Sequence, residues 1–285
     1  MRPENLNTKI VLYSGQASDT KDALSLLGFL DGQTTNIKLI SKNREIQERL
    51  NFMKKFTREE IFSLYKKYTA EIVAILPDKP ISLDIYSDEN TQAQDMISQA
   101  KEMHLWFQNA VIKFPITHEG ILAAQWAVKL EMNITMNHCF SQEQAAAVYV
   151  ATLGAKKGQV LISPRVERLD YSGANGMDLV KNIIEMYKNG DGHVGVLTTD
   201  IGTIDQFLYS ISLGVDCISS PLRIIKVWAQ KGMPVPQNYN YISEDLRPIA
   251  YRQIDLDKSW EAYDIAHELT QISAQESFSI WRTLL

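Results

Sequence analysis

AVIKFPITHEGILAAQWAVKLEMNITMNH, residues 110–138, is the stretch from which the fold is read. A short β-rich run, AVIKFP, leads into a helical pattern, HEGILAAQWAVKLE, and then into a second β-rich run, NITMNH. Strand, helix, strand is the repeating unit of a parallel sheet. One residue does not match its surroundings in polarity. Lys113 lies between Ile112 and Phe114, just before Pro115. A lysine there snorkels to the surface, pairs with a carboxylate, or works as an amine nucleophile.

The same alternation continues on both sides. Towards the N-terminus, strands are predicted at KIVLY (9–13), GQTTN (32–36) and PISLDIY (80–86). Helices are predicted from a cap at Ser18 or Asp19 to about Gly28, over residues 56–76, and over 91–107. Thr57 and Glu60 have capping-box spacing. Towards the C-terminus, strands are predicted at QVLISP (159–164), HVGVLTT (193–199) and VDCIS (215–219). The helix after NITMNH covers 141–154, with Ser141 as a cap, and those after the three strands cover 176–189, 203–213 and 221–232, with Pro221 at the first position of the last one. Eight β-then-α units in series favour a (β/α)8 barrel over an open doubly wound sheet, and no GxGxxG follows the first strand. The pattern breaks at about 233. We therefore expect a barrel over 1–232 and a C-terminal extension over 233–285 that packs on it. A helix over 258–283 carries Trp260, Tyr263, Phe278 and Trp281. It either covers the barrel or makes a contact between copies of the chain, as in a homo-oligomer.

Composition narrows the function classes. The 285 residues are 45% hydrophobic and 22% charged, with a formal net charge of −5. No basic stripe marks a nucleic-acid partner, and no apolar run approaches a membrane span or a signal core. For a bacterial chain the expected location is the cytoplasm. Two cysteines, Cys139 and Cys217, without CxxC spacing, and five histidines without HExxH argue against a thiolate or zinc site.

In a parallel barrel, chemistry sits at the C-terminal ends of the strands. That rule selects Tyr13, Asn36, Asp84, Lys113, Asn137 and Asp200, with Arg165 and Arg168 just past the sixth strand. By period two, Lys113 shares a face with Val111 and Pro115. If that face points inward, the lysine sits in a dry interior, where an amine favours its neutral form and can attack a carbonyl. Asp84 is placed to move protons, and Asn36 and Asn137 to hold water or hydroxyls. Plainer roles compete: an ion pair for Lys113 and Asp84, a turn cap for Asn36, core packing for Tyr13. His138, next after Asn137, should face the helices.

LLGFLDGQTTN (26–36), IKFPITHEG (112–120), FSQEQAAAVY (140–149) and SP-x-V-x-RLD (163–170), in this order, resemble transaldolases, especially the short bacterial ones related to fructose-6-phosphate aldolase. GMDLVKNI, GDGHV and the terminal ELT extend the resemblance over nearly the whole chain. It implies a barrel with a Schiff-base lysine at Lys113, an acid at Asp84 where most members have glutamate, a hydroxyl-binding Asn36 and an anion-binding Arg168. It also places Ser141 among the substrate-binding residues. It implies no metal or organic cofactor, since the lysine imine is the electron sink, and a small carbonyl or sugar substrate. Departures accompany it. Tyr13 stands where a strand-one aspartate is expected and is the residue to replace it as acid/base, although an ordinary phenol is a poor base near neutrality. TTNP reads TTNIK. Asn137 stands for a threonine. Asp200 and Gly202 fall where a serine and a basic residue usually meet phosphate, and Arg165 replaces an aromatic. The pocket looks rewired, with Asp200 paired to Arg168 or Arg165 or receiving a different substrate group.

Three functions stay open on the sequence. One is aldol cleavage or transfer of a dihydroxyacetone-type unit through an imine on Lys113. The second is a repurposed lysine-imine enzyme for another, non-phosphorylated carbonyl compound. The third is a non-catalytic binding barrel.

Overall fold

The computed structural model describes residues 1–285 except Asn189 and Glu244. Eight parallel strands close into one barrel in sequence order. They are β1 (Lys9–Tyr13), β2 (Gly32–Thr34), β3 (Ile81–Asp84), β4 (Ala110–Pro115), β5 (Asn133–Cys139), β6 (Val160–Pro164), β7 (Val194–Thr198) and β8 (Cys217–Ser220). This is the (β/α)8 barrel expected from the alternation. The helices are α1 (Ala17–Leu27), α2 (Ile37–Ile40), α3 (Arg44–Asn51), α4 (Arg58–Ile75), α5 (Ala93–His104), α6 (His118–Lys129), α7 (Gln142–Ala151), α8 (Val166–Tyr171), α9 (Gly176–Tyr187), α10 (Ile204–Leu213), α11 (Leu222–Gln230) and α12 (Glu268–Leu284).

Strand faces follow from the register. Asp84 pairs with Lys113, Lys113 with Thr135, and Pro115 with Asn137, so these side chains share the inner face. One layer below, Val11, Leu197 and Cys217 pack together with Leu161 and fill the barrel axis. Outward-facing Ile112, Phe114, Ile134 and Ile162 are fully buried against the helices. The β4–α6 turn is tight. Thr117 caps α6 by accepting from Gly120 N at 3.1 Å. A Cβ on Gly120 would lie 2.0 Å from the Pro115 carbonyl oxygen, so only glycine lets the helix start this close to the end of the lysine strand.

Local details differ from expectation. The first helix is capped at Gln16, not at Ser18 or Asp19, and Asp19 instead accepts from Ser14 Oγ at 2.5 Å. Short helices α2, α3 and α8 lie in stretches with no predicted element; four to eight residues carry too few turns for a periodic signal. Pro221 is the cap of α11, not its first helical residue. The end of the helix expected over 176–189 falls partly outside the described residues. The aromatic tail is not one helix over 258–283. Trp260 sits in a single 3-10 turn, Trp260–Ala262, and α12 begins only after His267, whose ring accepts from Leu269 N.

The tail crosses the outer helices before it reaches the barrel mouth. Asn182 donates to the Ile249 carbonyl at 2.8 Å, and Gln144 donates to the Ile265 carbonyl at 2.9 Å. At its far end α12 buries Trp281, stacked on Phe62 at 5.4 Å and edge-on to Tyr86 at 5.6 Å. A tryptophan buried to this degree removes on the order of 200 Å2 from water, about 5 kcal/mol. That is ample to hold the helix across the strand ends.

Candidate active site

The C-terminal mouth of the barrel encloses a cavity of about 120 Å3. Lys113 is its central group. The side chain is 4% exposed, so the lysine does not snorkel. Its Nζ lies 2.6 Å from Asp84 Oδ1 and donates to the Thr35 carbonyl oxygen at 2.6 Å. Asn137 Nδ2 donates to the same Asp84 oxygen at 3.2 Å. Burial raises the Asp84 carboxyl above the ordinary carboxylate range, while Lys113 and Asn137 pull the other way. A carboxylate held between these opposing influences is suited to taking up and returning a proton.

A buried tyrosine sets this geometry. Tyr65, on α4, accepts from the Asp84 backbone N at 2.9 Å. Its hydroxyl also meets Thr35 Oγ1 at 3.1 Å, and Thr35 Oγ1 in turn donates to the Ser82 carbonyl at 2.6 Å. One phenol thus fixes both the strand end that carries Asp84 and the carbonyl that receives Lys113. Nothing in the sequence singled out Tyr65 among the apolar positions of its helix.

Asn36 has two roles. It caps α2, accepting from Leu39 N at 2.8 Å, and its amide donates to Tyr13 Oη at 2.9 Å. Burial raises the Tyr13 hydroxyl, the Asn36 bond opposing it. Tyr13 is therefore a neutral phenol whose own proton is free to be donated. Of the acid/base role expected of it, this environment favours the acid half.

The sixth and seventh strands bring Arg165 and Asp200 together at 3.1 Å. Of the two partners foreseen for Asp200, Arg165 is the one that meets it. Arg165 also donates to Ser273 Oγ on α12 at 2.9 Å. Arg168 points elsewhere. It is paired with Glu276 of α12 and does not line the cavity, contrary to the direct anion contact expected. Ser141 does not line it either; its hydroxyl caps α7, accepting from Gln144 N at 3.1 Å. Arg168 lies one turn into α8, and Ser141 has its hydroxyl turned to the first-turn amide of α7; both look as close to the mouth in sequence as the residues at strand ends do.

His138 is the reverse case. The strict alternation that turned it towards the helices is broken by a bulge. Met136 pairs with Ile162 and Cys139 with Pro164, so β5 holds one residue more than β6 over this span. His138 takes up the extra length in the left-handed region, at φ 65°. Its ring lines the cavity, and its Nδ1 is buried without a hydrogen-bond partner among the described residues. Burial and the nearby Arg165, Lys113 and Arg168 lower its pKa to about 3. The unfolded chain binds a proton here below about pH 6.5 and the native state does not. The depressed value means stability is lost as pH falls through that window, by up to about 1.4 kcal/mol per pH unit. On acidification from neutral pH, wild type should lose more stability in urea melts than His138→Gln. Parallel losses would show that His138 is not held neutral.

The cysteines do not take part. Cys139 and Cys217 are buried and unbridged, and burial pushes both thiols up to about 12. Among the described residues no three His, Cys, Asp or Glu side chains converge as metal ligands, and no helix is long and apolar enough to cross a membrane.

A barrel with a buried lysine–carboxylate pair at its C-terminal mouth now has relatives to be set against. Residues 15–273 match the family model described as Transaldolase/Fructose-6-phosphate aldolase. This chain belongs to that family. It is 31% identical over 204 residues to a probable transaldolase of Ruegeria sp., covering 71% of this chain and 81% of the relative. A probable transaldolase of Dehalococcoides mccartyi is 31% identical over 76% of this chain and 88% of its own length. One from Mesorhizobium japonicum is 30% identical over 73% and 84%. The protein is thus an enzyme of the transaldolase/aldolase type, and a divergent one. The non-catalytic barrel is set aside at this level.

Proposed function

We propose that this family member is a class I enzyme that makes or breaks a carbon–carbon bond through an imine on Lys113, releasing or transferring a dihydroxyacetone-type unit. The observation that carries it is the 2.6 Å pair between a 4%-exposed Lys113 and Asp84 in a cavity at the catalytic end of the barrel. Lys113 passes a proton to Asp84, and the free amine attacks the substrate carbonyl. Asp84 then protonates the departing hydroxyl of the carbinolamine, water leaves, and the imine forms. Asp84, again a carboxylate, takes the proton of the hydroxyl on the second carbon from the imine. The bond between that carbon and the first breaks, an aldehyde leaves, and the imine accepts the electron pair as an enamine, which is reprotonated by Asp84 or adds to an acceptor aldehyde. Hydrolysis reverses the first steps.

A small cavity supports a role for water. About 20 Å3, bounded by Asp84, Lys113, Asn137, His138 and Ser277, is room for one water molecule with polar partners on several sides. Water there relays protons between Asp84 and the reacting carbon while Asn137 orients it. Asn36 and Tyr13 bind hydroxyls of the donor, with Tyr13 acting as a hydrogen-bond donor.

Borohydride reduction tests this. The protein is incubated with dihydroxyacetone, fructose, fructose 6-phosphate and simple ketones, reduced, and digested. A stable mass adduct is expected on the peptide that contains Lys113. An adduct confined to other lysines, or none with any compound, overturns the imine.

A further inference from the structure

Three cations, Lys38, Lys113 and Arg165, and three anions, Asp84, Asp200 and Glu276, line the cavity. The charges are paired off: Lys113 with Asp84, Arg165 with Asp200, and, just behind the wall, Arg168 with Glu276. Lys38 is exposed at the rim, and its charge acts on Glu276. With Arg168 counted, four cations face three anions, and the surplus charge is Lys38 at the exposed rim; within the cavity wall the guanidiniums of Arg165 and Arg168 each already hold a carboxylate of the protein.

A phosphate dianion that passes the rim, where Lys38 offers one solvent-exposed ammonium, gains a guanidinium only by taking it away from its carboxylate. It then sits beside the displaced Asp200 or Glu276, and both terms are unfavourable. The two carboxylates come from different parts of the chain. Asp200 follows β7 with left-handed backbone at φ 60°, which directs its side chain across to Arg165. Glu276 is delivered by α12, anchored through the buried Trp281.

A second feature points to what the cavity does accept. Thr34 and Ser219, 5% and 2% exposed, line its floor. Their hydroxyls are buried and make no hydrogen bond with any described residue. Buried hydroxyls of this kind require a partner. Together with Ser163, Thr199, Asn36 and Tyr13 they offer a lining of neutral donors and acceptors, suited to a ligand of the same character.

We infer that Asp200 and Glu276 are specificity residues that exclude dianions, and that the substrate is an unphosphorylated polyhydroxylated ketone. This rests on the imine reading for the reaction, but the charge exclusion is separately measurable. The test uses Glu276→Gln, Asp200→Asn and the double variant. Asparagine tolerates the left-handed backbone at 200, and Glu276 is half exposed, so the fold should survive both changes.

The first arm is calorimetric titration with inorganic phosphate, which needs no imine. The double variant is expected to bind it about tenfold or more tightly than wild type, the worth of one released charge-assisted bond. The second arm compares reductive trapping on Lys113 by fructose and by fructose 6-phosphate. Wild type should favour fructose, and the double variant should move the ratio about tenfold towards the phosphate ester. Equal phosphate binding by wild type and double variant overturns the inference, as does a wild type that traps fructose 6-phosphate better than fructose. If no compound traps at all, the imine reading fails, and the phosphate titration still decides the charge exclusion.

Discussion

Lys113→Met should abolish reductive trapping on the 112–120 peptide and lower turnover of any trapped substrate by about 10³-fold or more, the scale on which removal of a covalent nucleophile is felt. Methionine keeps most of the side-chain length and lacks the amine, so packing in the upper barrel changes little. Asp84 loses its counter-charge but can pick up a proton, because burial already raises its carboxyl. The variant should therefore fold, and circular dichroism with a urea melt would separate lost chemistry from lost structure. A well-folded variant with full activity would leave the imine mechanism without its nucleophile.

Asp84→Asn should be nearly as damaging, in a different way. Asparagine keeps the shape and can still accept from Asn137, but it cannot take a proton from Lys113. Removal of a positioned acid/base typically costs about 10²- to 10⁴-fold in rate. It also leaves the Lys113 ammonium in a dry site with neutral oxygens, the Thr35 carbonyl and the amide of the introduced asparagine, and no counter-charge. Breaking a buried pair from one side costs about 3–5 kcal/mol. The Lys113→Met/Asp84→Asn double variant strands no charge and should recover part of that stability. The pH dependence carries the sign of the shift. Because burial raises Asp84, it becomes protonated, and so loses its base function, at a pH above the ordinary carboxylate range. As pH falls, kcat/KM of wild type should begin to drop above that range. In Asp84→Asn the residual activity should lack this limb. Persistence of the same acid limb in Asp84→Asn would assign it to another group.

The architecture was legible because each of its signals is local. Period-two runs such as AVIKFP and NITMNH place alternate side chains on opposite faces whatever the rest of the chain does. That Lys113 shares a face with Val111 and Pro115 followed from this spacing; that the shared face points inward came from the barrel register. Helix caps were less legible: Thr57–Glu60 formed its box as spaced, whereas Gln16 caps α1 with no side-chain bond at all. Short elements such as α2 and α8 left no periodic trace. The site divides along the same line. Lys113, Asp84, Asn137, Asn36, Tyr13, Arg165 and Asp200, read from strand ends, are brought to one cavity. Arg168 and Ser141, a few residues beyond strand ends, are not.

By itself the sequence determined the eight-fold alternation, the shared face of Lys113, Val111 and Pro115, and the placing of a lysine and an aspartate at the ends of neighbouring strands; that they meet in the dry interior was decided by the closed barrel. Only the tertiary structure decided which charges pair and which faces turn. Arg168 finds Glu276 across 108 residues of chain, because charges pair by distance in space and separation along the chain does not constrain them. The tail's place over the mouth is set by where Trp281 finds an aromatic socket, on residues from α4 and the end of β3. His138 turns towards the lysine because one extra residue in β5 reverses the alternation. That reversal depends on the register with β6, which no local pattern in NITMNH contains.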